Sequence, residues 1–410
     1  MTMYGIKESV VSPLVRQLAG EHLSRDEIID RFARATWTGI AEPGDRVAGA
    51  LVQRLGAGPA LTSVVQRWSA ERIADATGGG ESEDDLTLAD LAAAQERWQP
   101  RLGPSAAITA LRQAARFGVQ LLIPGEPGWP SGVDDLSVHG PIALWLRGNR
   151  ETLSSTSTSI ALVGARAATG YGEHITMEAS AGLIDRGYTI VSGAAYGIDG
   201  MAHRAALASS GQTVAFLAGG VDRFYPSGHD GLLTRIVEVG AVVSELPCGS
   251  PPTKWRFLQR NRLIAAASQA TVVLEAGWRS GSLNTAGHAA ALGRPLGAVP
   301  GPVTSAASAG CHRLIRDFDA VCVTNADEMA ELAPIESRSL MAAPTPEHGA
   351  SATSHVTRVV DALSTRSPRT TGDIAARSGL AVSQVQSVLG RLELEGAAAT
   401  RERGWILRRT

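Results

Sequence analysis

A short basic and aromatic segment is the densest concentration of chemistry-bearing side chains in the chain. It reads KWRFLQRNR from Lys254 to Arg262 and holds four cations and two aromatic residues, with no acid among them. Cations neutralise phosphates, and aromatic rings stack on bases that have left a duplex. The segment is therefore a candidate for nucleic-acid binding. The competing interpretation is a helix start whose apolar side, with Phe257 and Leu258, belongs to the protein core.

The spacing inside this segment places its two kinds of chemistry together. Lys254 and Phe257 are three residues apart, so on a helix both side chains would project from one face. A phosphate contact and a base-stacking surface would then lie side by side, about one helical turn apart. This arrangement predicts a site for single-stranded nucleic acid.

Glycine-rich loops follow four short β-branched runs elsewhere in the chain. Glycine allows sharp turns and close approach to a ligand, and helix N-termini attract anions. Loops that follow parallel strands meet at one edge of the sheet, so we expect them to form an anion cradle. The alternative is that each glycine only makes a tight turn. The loops contain GAR at 164–166 and GYG at 170–172, SGAAYGID at 192–199, GG at 219–220 and RSGS at 279–282.

Several enzyme and cofactor motifs do not occur in the sequence. The first loop reads GARAATG rather than GxGxxG, and there is no GxxxxGK[ST] and no GxSxG, which argues against dinucleotide, P-loop and hydrolase-elbow sites. The nine histidines show no metal-ligand spacing, and we expect His203 and His288 to be ordinary hydrogen-bond partners. We therefore predict no cofactor, no metal and no catalytic residue.

The elements that must position these residues follow a repeating pattern from about residue 160. Short apolar runs alternate with helix-length segments, which is typical of a parallel sheet covered on both faces. We predict an α/β fold: a doubly wound, mostly parallel Rossmann-like sheet, with an N-terminal helical domain and a C-terminal winged helix. The predicted strands lie at 160–164, 189–193, 213–219, 241–246, 271–277, 295–301 and 320–325.

Composition shifts divide the chain into segments. A glycine-rich acidic break at 78–85 interrupts the N-terminal helical pattern, and a Pro-, Ala- and Ser-rich stretch separates off the C-terminus. Helices are predicted at 356–363, 371–377 and 383–395, followed by a hairpin around Arg403-Gly404. The predicted domains are an N-terminal helical domain at 1–117, an extended Rossmann-like domain at 118–333, a linker at 334–355 and a winged-helix domain at 356–410.

Bulk properties narrow the class of protein. The 410 residues carry a net charge of −2, so a basic binding site must be local. Cys248, Cys311 and Cys322 show no CxxC spacing, which favours a reducing compartment. The sequence shows neither a signal-peptide core nor an apolar run of about 18 residues. We therefore expect a cytoplasmic protein that does not associate with membranes.

The segment from about 121 to 325 resembles the DNA-processing protein A (DprA/Smf) family. The matching motifs occur in the family's order and include GAR at 164–166, IVSGAAYGIDGMAH at 190–203, FLQRNRLIAAAS at 257–268 and VVLEAGWRSGSLNTA at 272–286. The resemblance covers about half the chain. It implies a Rossmann-like fold without enzymatic turnover, single-stranded DNA binding, homodimerisation, and recruitment of the RecA recombinase during uptake of transforming DNA.

The resemblance also implies roles for individual residues. Arg166 would contact phosphate, Lys254 would hold the DNA backbone, and Phe257 would stack on a base. Ser192 and Gly193 would line the cradle.

Two further motifs carry over from the family in the same way. Arg260, Asn261 and Arg262 would shape the pocket floor. The residues that would donate hydrogen bonds at a helix start are Ser280, Gly281 and Ser282.

The chain departs from the family pattern at a few positions. Ala165 stands where the family usually has serine, so one hydroxyl is lost beside Arg166. His312 stands where asparagine is commoner, and the segment RDFDA at 316–320 replaces a Gly-Ala ending. These differences bear on local detail around residues 310–320.

The two ends of the chain resemble modules that occur in the family. The N-terminal helices occupy the place of a helix–hairpin–helix or SAM-like module. The third C-terminal helix holds Arg391 against Glu393 and Glu395, whereas helices that read duplex DNA are richer in basic and amide side chains. This charge pattern favours a protein contact or a weak phosphate contact over base reading. The arginines of the predicted wing and tail are Arg401, Arg403, Arg408 and Arg409.

A second function class is an enzyme of the related Rossmann-like group that cleaves nucleotide–ribose bonds. Such enzymes are expected to present a PGGxGTxxE-like loop. The nearest segment here is Glu275-Ala276-Gly277 followed by SGSLNTA, and its residues do not follow the order of that motif. Glu245 and Glu275 end predicted neighbouring strands and have the chemistry for acid–base work. The competing interpretation is that both acids stabilise turns.

Overall fold

The computed structural model describes residues 2–78, 86–335 and, apart from positions 361, 366, 379, 381, 395, 402 and 403, residues 359–408. Contacts divide the chain into two compact units, Met1–Ile335 and Glu336–Thr410. The predicted boundary at residue 117 falls inside the first unit and stays a prediction. Most of the acidic break and of the linker lies outside the described residues. Among the described helices, none combines the length and apolar character needed to cross a bilayer.

The first unit is built on a nine-stranded sheet in which all seven predicted strands are present. The strand order is β11-β10-β9-β5-β6-β7-β8-β4-β3. The strands from β11 to β8 are parallel, whereas β4 pairs antiparallel with β8 and β3 pairs antiparallel with β4. The strands are β3 (Gln120–Leu122), β4 (Leu144–Gly148), β5 (Ser159–Gly164), β6 (Thr189–Ser192), β7 (Thr213–Phe216), β8 (Ala241–Ser244), β9 (Ala270–Glu275), β10 (Leu296–Ala298) and β11 (Val321–Cys322).

The strand order reverses next to β5. The chain runs from β5 through β6 and β7 to β8, then crosses back so that β9 pairs with the other side of β5. The loops after β5 and β9 therefore diverge to opposite faces of the sheet and leave a crevice between them. In open α/β sheets, ligands bind at such a switch point.

Both faces of the sheet are covered by helices, as the apolar strands require. Along β5 the side chains alternate: Ile160 and Leu162 pack in one core, while Ala161 and Val163 pack in another. The helices of this part are α8 (Arg150–Ser154), α9 (Gly170–Asp185), α10 (Ile198–Ala208), α11 (Asp230–Val239), α12 (Lys254–Ala267), α13 (Ser282–Ala291), α14 (Ala309–Asp317) and α15 (Ala326–Glu331).

The N-terminal part is helical, as predicted. Ser24 and Glu27 form a capping box at the start of α2, and Trp37 packs edge-on against Trp98 with ring centroids 5.1 Å apart. A two-residue hairpin, β1 (Thr2–Met3) with β2 (Ile6–Lys7), precedes these helices and corrects the purely helical prediction. The helices are α1 (Glu8–Ala19), α2 (Arg25–Ile40), α3 (Arg46–Leu55), α4 (Ala57–Val65), α5 (Ala70–Ala76), α6 (Leu88–Trp98) and α7 (Pro104–Arg116).

The second unit has the outline of a winged helix. Its described helices Thr371–Ser378 and Val382–Leu394 precede an antiparallel hairpin of β12 (Ala398–Arg401) and β13 (Gly404–Leu407). Half of the predicted helix at 356–363, positions 356–358 and 361, lies outside the described residues. The unit has its own core, which contains Ile374, Leu389 and Leu392.

Candidate nucleic-acid interface

A cleft of about 960 Å³ opens at the switch point between β5 and β9. Its walls are the loop after β5, the loop after β9 and one face of α12. Eight of the predicted site residues line it: Arg166, Lys254, Phe257, Arg260, Asn261, Ser280, Gly281 and Ser282.

Helix α12 forms one wall of the cleft and begins at a side-chain cap. The hydroxyl of Thr253 accepts a hydrogen bond from the backbone N–H of Arg256 at 3.3 Å, which starts the helix immediately before Lys254. Lys254, Phe257 and Asn261 follow at positions i, i+3 and i+7, and all three line the cleft. Helical periodicity thus brings the predicted phosphate and base contacts onto one face.

Phe257 lies between charged and aromatic neighbours. The guanidinium carbons of Arg166 and Arg260 lie 4.9 Å and 5.7 Å from the centroid of its ring. The ring of Tyr225 lies 5.7 Å away at an angle of 57°. Because Phe257 is only half-buried, part of its ring faces the cleft between cations, where a base and its phosphate would both find a partner.

Arg260 and Asp199 form the buried floor of the cleft. The Arg260 guanidinium donates to the carbonyl of Phe216 at 2.8 Å, and burial lowers its pKa to about 10. Burial raises the pKa of the Asp199 carboxyl, and the charge of Arg260 opposes that rise. The two groups therefore stabilise each other's charged form within the protein.

Gly193 lies directly beneath this floor. A Cβ at position 193 would come within 1.7 Å of a guanidinium nitrogen of Arg260. Only glycine leaves room for Arg260 in its observed position. Gly193 therefore acts by admitting the arginine rather than by lining the main cleft.

The start of α13 forms the opposite wall. The hydroxyls of Ser280 and Ser282 are 2.8 Å apart, and the Ser280 hydroxyl also accepts a hydrogen bond from the backbone N–H of Ser282 at 3.4 Å. The amide of Asn261 reaches across from α12 and donates to the Gly281 carbonyl at 3.4 Å and to Asn284 at 3.2 Å. Backbone N–H groups and hydroxyls therefore meet at a helix N-terminus, which suits an anion.

The structure does not bring Ser192 and Arg262 into the cleft. Ser192 is the last residue of β6, and its buried hydroxyl donates to the Leu162 carbonyl of β5 at 2.7 Å. Arg262 lies on the other side of α12 and forms a buried ion pair with Glu245 at 2.6 Å. Both side chains are engaged inside the protein and have no surface to offer a ligand.

The cations that line the cleft differ in their ion pairing from the cations on the other side of α12. Within the described part of the chain, Arg166, Lys254 and Arg279 form no ion pair. Arg256, by contrast, contacts Glu42 at 2.8 Å. The net positive charge of the basic segment is thus directed into the cleft, where it is available to phosphates.

Glu275, the acid at the end of β9, holds a turn. Its carboxylate accepts hydrogen bonds from the backbone N–H of Thr169 at 2.8 Å and from the Thr169 hydroxyl at 2.5 Å. These contacts fix the loop that precedes α9. Both acids considered for acid–base chemistry, Glu245 and Glu275, are therefore engaged by protein groups.

Three charged or aromatic residues of the cleft are absent from the predicted site residues: Asp199, Tyr225 and Arg279. Arg279 immediately precedes the predicted Ser280 in the RSGS loop at 279–282. Tyr225 lies in the FYP segment after the third predicted strand, where the sequence shows an aromatic residue but not that its ring reaches Phe257.

No group of three or more His, Cys, Asp or Glu side chains among the described residues is arranged to hold a metal ion.

This fold and cleft define a class: a Rossmann-like protein with a cleft lined by basic and aromatic side chains at its switch point. The family model described as DNA recombination-mediator protein A matches residues 120–334, and the model described as DprA winged helix domain matches residues 342–402. The chain belongs to the DNA processing protein A (DprA) family.

Individual relatives agree with this assignment. The putative DNA processing protein DprA of Mycobacterium tuberculosis (strain H37Rv) is 45% identical over 305 residues, which cover 72% of this chain and 78% of the relative. Protein Smf of Escherichia coli K12 is 42% identical over 47% of this chain and 50% of its own length. The X-ray structure of DprA from Streptococcus pneumoniae is 28% identical with a TM-score of 0.57, covering 73% of this chain and 95% of that chain.

Proposed function

We propose that this chain binds single-stranded DNA in the cleft at the β5–β9 switch point. The observation that carries the proposal is the position of Phe257, half-exposed beside the guanidinium of Arg166 and one helical turn from Lys254. Stacking between a base and an aromatic ring contributes about 1–3 kcal/mol in single-strand binding sites. The unpaired cations supply the accompanying phosphate contacts.

The geometry favours a single strand over a duplex. The stacking face of Phe257 lies inside a cleft rather than on an open surface. A base inside a duplex is stacked on its neighbours and cannot enter, whereas a base of a single strand can be splayed out. We therefore expect the cleft to discriminate by strandedness and not by sequence.

We further propose that the bound strand is protected and delivered to the RecA recombinase during DNA uptake and recombination, with the protein acting as a homodimer. The support is membership of a family described as a DNA recombination mediator. Co-sedimentation with RecA on single-stranded DNA tests the delivery step, and analytical ultracentrifugation tests the dimer.

We propose that the protein acts without catalytic turnover. A nucleotide–ribose hydrolase needs a carboxylate free to assist departure of the base. Glu245 is paired with Arg262, and Glu275 accepts two hydrogen bonds from Thr169. Neither of these two glutamates lines the cleft, and Asp199, the carboxylate that does, is buried in its floor. This arrangement supports a binding role over a hydrolytic one.

The test compares single-stranded and duplex DNA of equal length by fluorescence anisotropy across a salt series. We expect tighter, salt-sensitive binding of the single strand. A ribose-release assay on nucleotides runs beside it and should stay at background. Equal affinity for both forms at moderate salt contradicts the single-strand proposal, and ribose release that depends on Glu275 contradicts the non-catalytic one.

A further inference from the structure

Two of the chain's eight tryptophans are exposed, and both adjoin cleft cations. Trp255 follows Lys254 on α12 and is 57% exposed, while Trp278 precedes Arg279 after β9 and is 54% exposed. The other six are buried or half-buried. Neither exposed indole lines the cleft itself. An exposed indole is a sequence-tolerant surface for stacking a base, so the surroundings of each ring decide whether a strand can reach it.

Trp278 is held on a fixed turn at the rim of the cleft. The backbone N–H of Ser280 donates to the Gly277 carbonyl at 3.0 Å, which closes a turn with Trp278 at its second position. The N–H of Gly310 in α14 donates to the Ala276 carbonyl at 2.7 Å. A Cβ at position 310 would lie within 2.6 Å of the Gly277 carbonyl, so the glycine permits this close contact.

A cation and a second aromatic ring complete the surroundings of Trp278. The guanidinium carbon of Arg313 lies 5.1 Å from the Trp278 ring and 5.4 Å from the ring of Phe318. Phe318 is itself exposed. The acid nearest to Arg313, Asp317, is 3.9 Å away, at the limit of an ion pair. Arg313 therefore keeps its charge available between two aromatic surfaces.

The surroundings of Trp255 are electrostatically different. Trp255 lines a separate groove of about 570 Å³ beside α3 and α6. Each arginine of that groove is paired with an acid, at distances from 2.7 to 3.5 Å. The paired arginines and acids are Arg46 with Asp90, Arg97 with Asp45 and Arg101 with Glu42. A phosphate there would gain no unpaired cation and would meet three carboxylates.

We propose that Trp278, Arg313 and Phe318 form a second base-stacking platform, over which a bound single strand continues beyond the nucleotides held in the cleft. The platform is continuous with the cleft because Gly277 and Arg279, the neighbours of Trp278, both line it. This inference rests on the proposed function and extends it by naming the exit path of the strand.

The experiment measures the affinity of the full chain for oligothymidylates of two lengths. The short one, four nucleotides, fills the cleft, and the long one, fifteen nucleotides, reaches beyond it. The variant is Trp278→Ala and the matched control is Trp255→Ala, because the two rings are similarly exposed and each adjoins a cleft cation, but Trp255 lies in the groove of paired arginines. We expect Trp278→Ala to weaken binding of the long strand on the order of tenfold, as for one lost stacking contact. Binding of the short strand, and all binding by the control, should stay near wild type.

A second readout uses charge. Arg313→Gln should lower the salt slope for the long strand by about 0.7, the value for one phosphate contact of a single strand, and leave the slope for the short strand unchanged. Equal losses in Trp278→Ala and Trp255→Ala overturn the proposal, as does an equal loss for both lengths. A change in sedimentation of Trp278→Ala with normal long-strand affinity also overturns it, because the ring then contacts a second copy. Wild-type protein that binds neither oligomer defeats the proposed function as well.

Discussion

The two faces of α12 carry similar side chains and have different surroundings. One face presents Lys254, Phe257 and Asn261 to the cleft. The other presents Arg256 and Arg262, which are paired with Glu42 and Glu245. Four cations thus occupy nine consecutive residues, yet two of them neutralise acids of the protein itself and cannot contact a ligand.

The difference arises from tertiary structure. Glu42 lies 214 positions before Arg256 in the chain, and Glu245 immediately follows β8, the strand before α12. In a basic segment, only the cations that the fold leaves unpaired can contact nucleic acid. We therefore propose that the cleft face of α12 binds DNA and that the other face stabilises the fold, and substitutions on each face test this.

The largest effect is expected on the free energy of unfolding, from a substitution on the face of α12 that carries Arg256 and Arg262. Arg262→Ala leaves Glu245 buried without its partner, and breaking a buried pair from one side costs about 3–5 kcal/mol. We expect the free energy of unfolding, measured in urea, to fall by this amount. Single-strand affinity per folded molecule should stay normal.

The control for this variant removes both charges. The double substitution Glu245→Leu with Arg262→Met should recover most of the lost stability, because no uncompensated buried charge remains. A single Arg262→Ala variant of normal stability that has lost DNA binding would return Arg262 to the binding face.

On the cleft face the largest effect is expected at Phe257. Phe257→Ala should cost about 1–3 kcal/mol of single-strand affinity if the ring stacks a base. The salt slope should not change because no charge is removed. Affinity and melting temperature are measured on the same preparation. Phe257→Trp should keep most of the affinity, and a large loss of stability with normal affinity would show that the ring serves the core.

The cleft cations should each give a smaller, salt-dependent effect. Arg166→Ala and Lys254→Ala should each weaken single-strand binding about tenfold at low salt, since a hydrogen bond to a charged group contributes about 1.5–3 kcal/mol. Each should lower the salt slope by about 0.7. The control is Arg112→Ala, an exposed cation of α7 outside the cleft. An unchanged slope with a lowered melting temperature would make these cations structural.

The smallest effect is expected at Arg256, whose partner Glu42 also contacts Arg101. A partly exposed pair contributes about 1 kcal/mol or less, so Arg256→Ala should lower stability only slightly and leave DNA affinity unchanged. Burial alone would raise the pKa of Glu42, but Arg256 and Arg101 outweigh it and hold the pKa below its ordinary value of 4.5.

This pKa shift fixes the sign of the pH dependence. A carboxyl with a lowered pKa in the folded state stabilises the fold above its unfolded pKa and loses that contribution as pH falls through the folded value. The stability difference between wild type and Arg256→Ala should therefore be present at neutral pH and shrink below about pH 4.5. A difference that grows in acid would contradict the ion pair.

The sheet was predictable from the sequence because its strands are continuous apolar runs separated by helix-length segments. The antiparallel pair of β4 and β3 was missed because both strands precede the alternating pattern of apolar runs and helix-length segments. The cleft face of α12 followed from helical spacing. The orientation of Ser192 could not be predicted from the sequence, because its hydroxyl donates to a carbonyl of the neighbouring strand. The acidic partners of Arg256 and Arg262 could not be predicted either, because these contacts join residues that are distant in sequence.

The central claim, that single-stranded DNA covers the Lys254 face of α12, can be measured by amine-selective acetylation. The chain has two lysines, Lys7 and Lys254, and both are exposed. Peptide mass spectrometry follows the acetylation rate of each with and without saturating single-stranded DNA, with binding verified by anisotropy. We predict strong protection of Lys254, an unchanged rate at Lys7, and little protection by duplex of equal length. An unchanged rate at Lys254 under saturated binding would contradict the account.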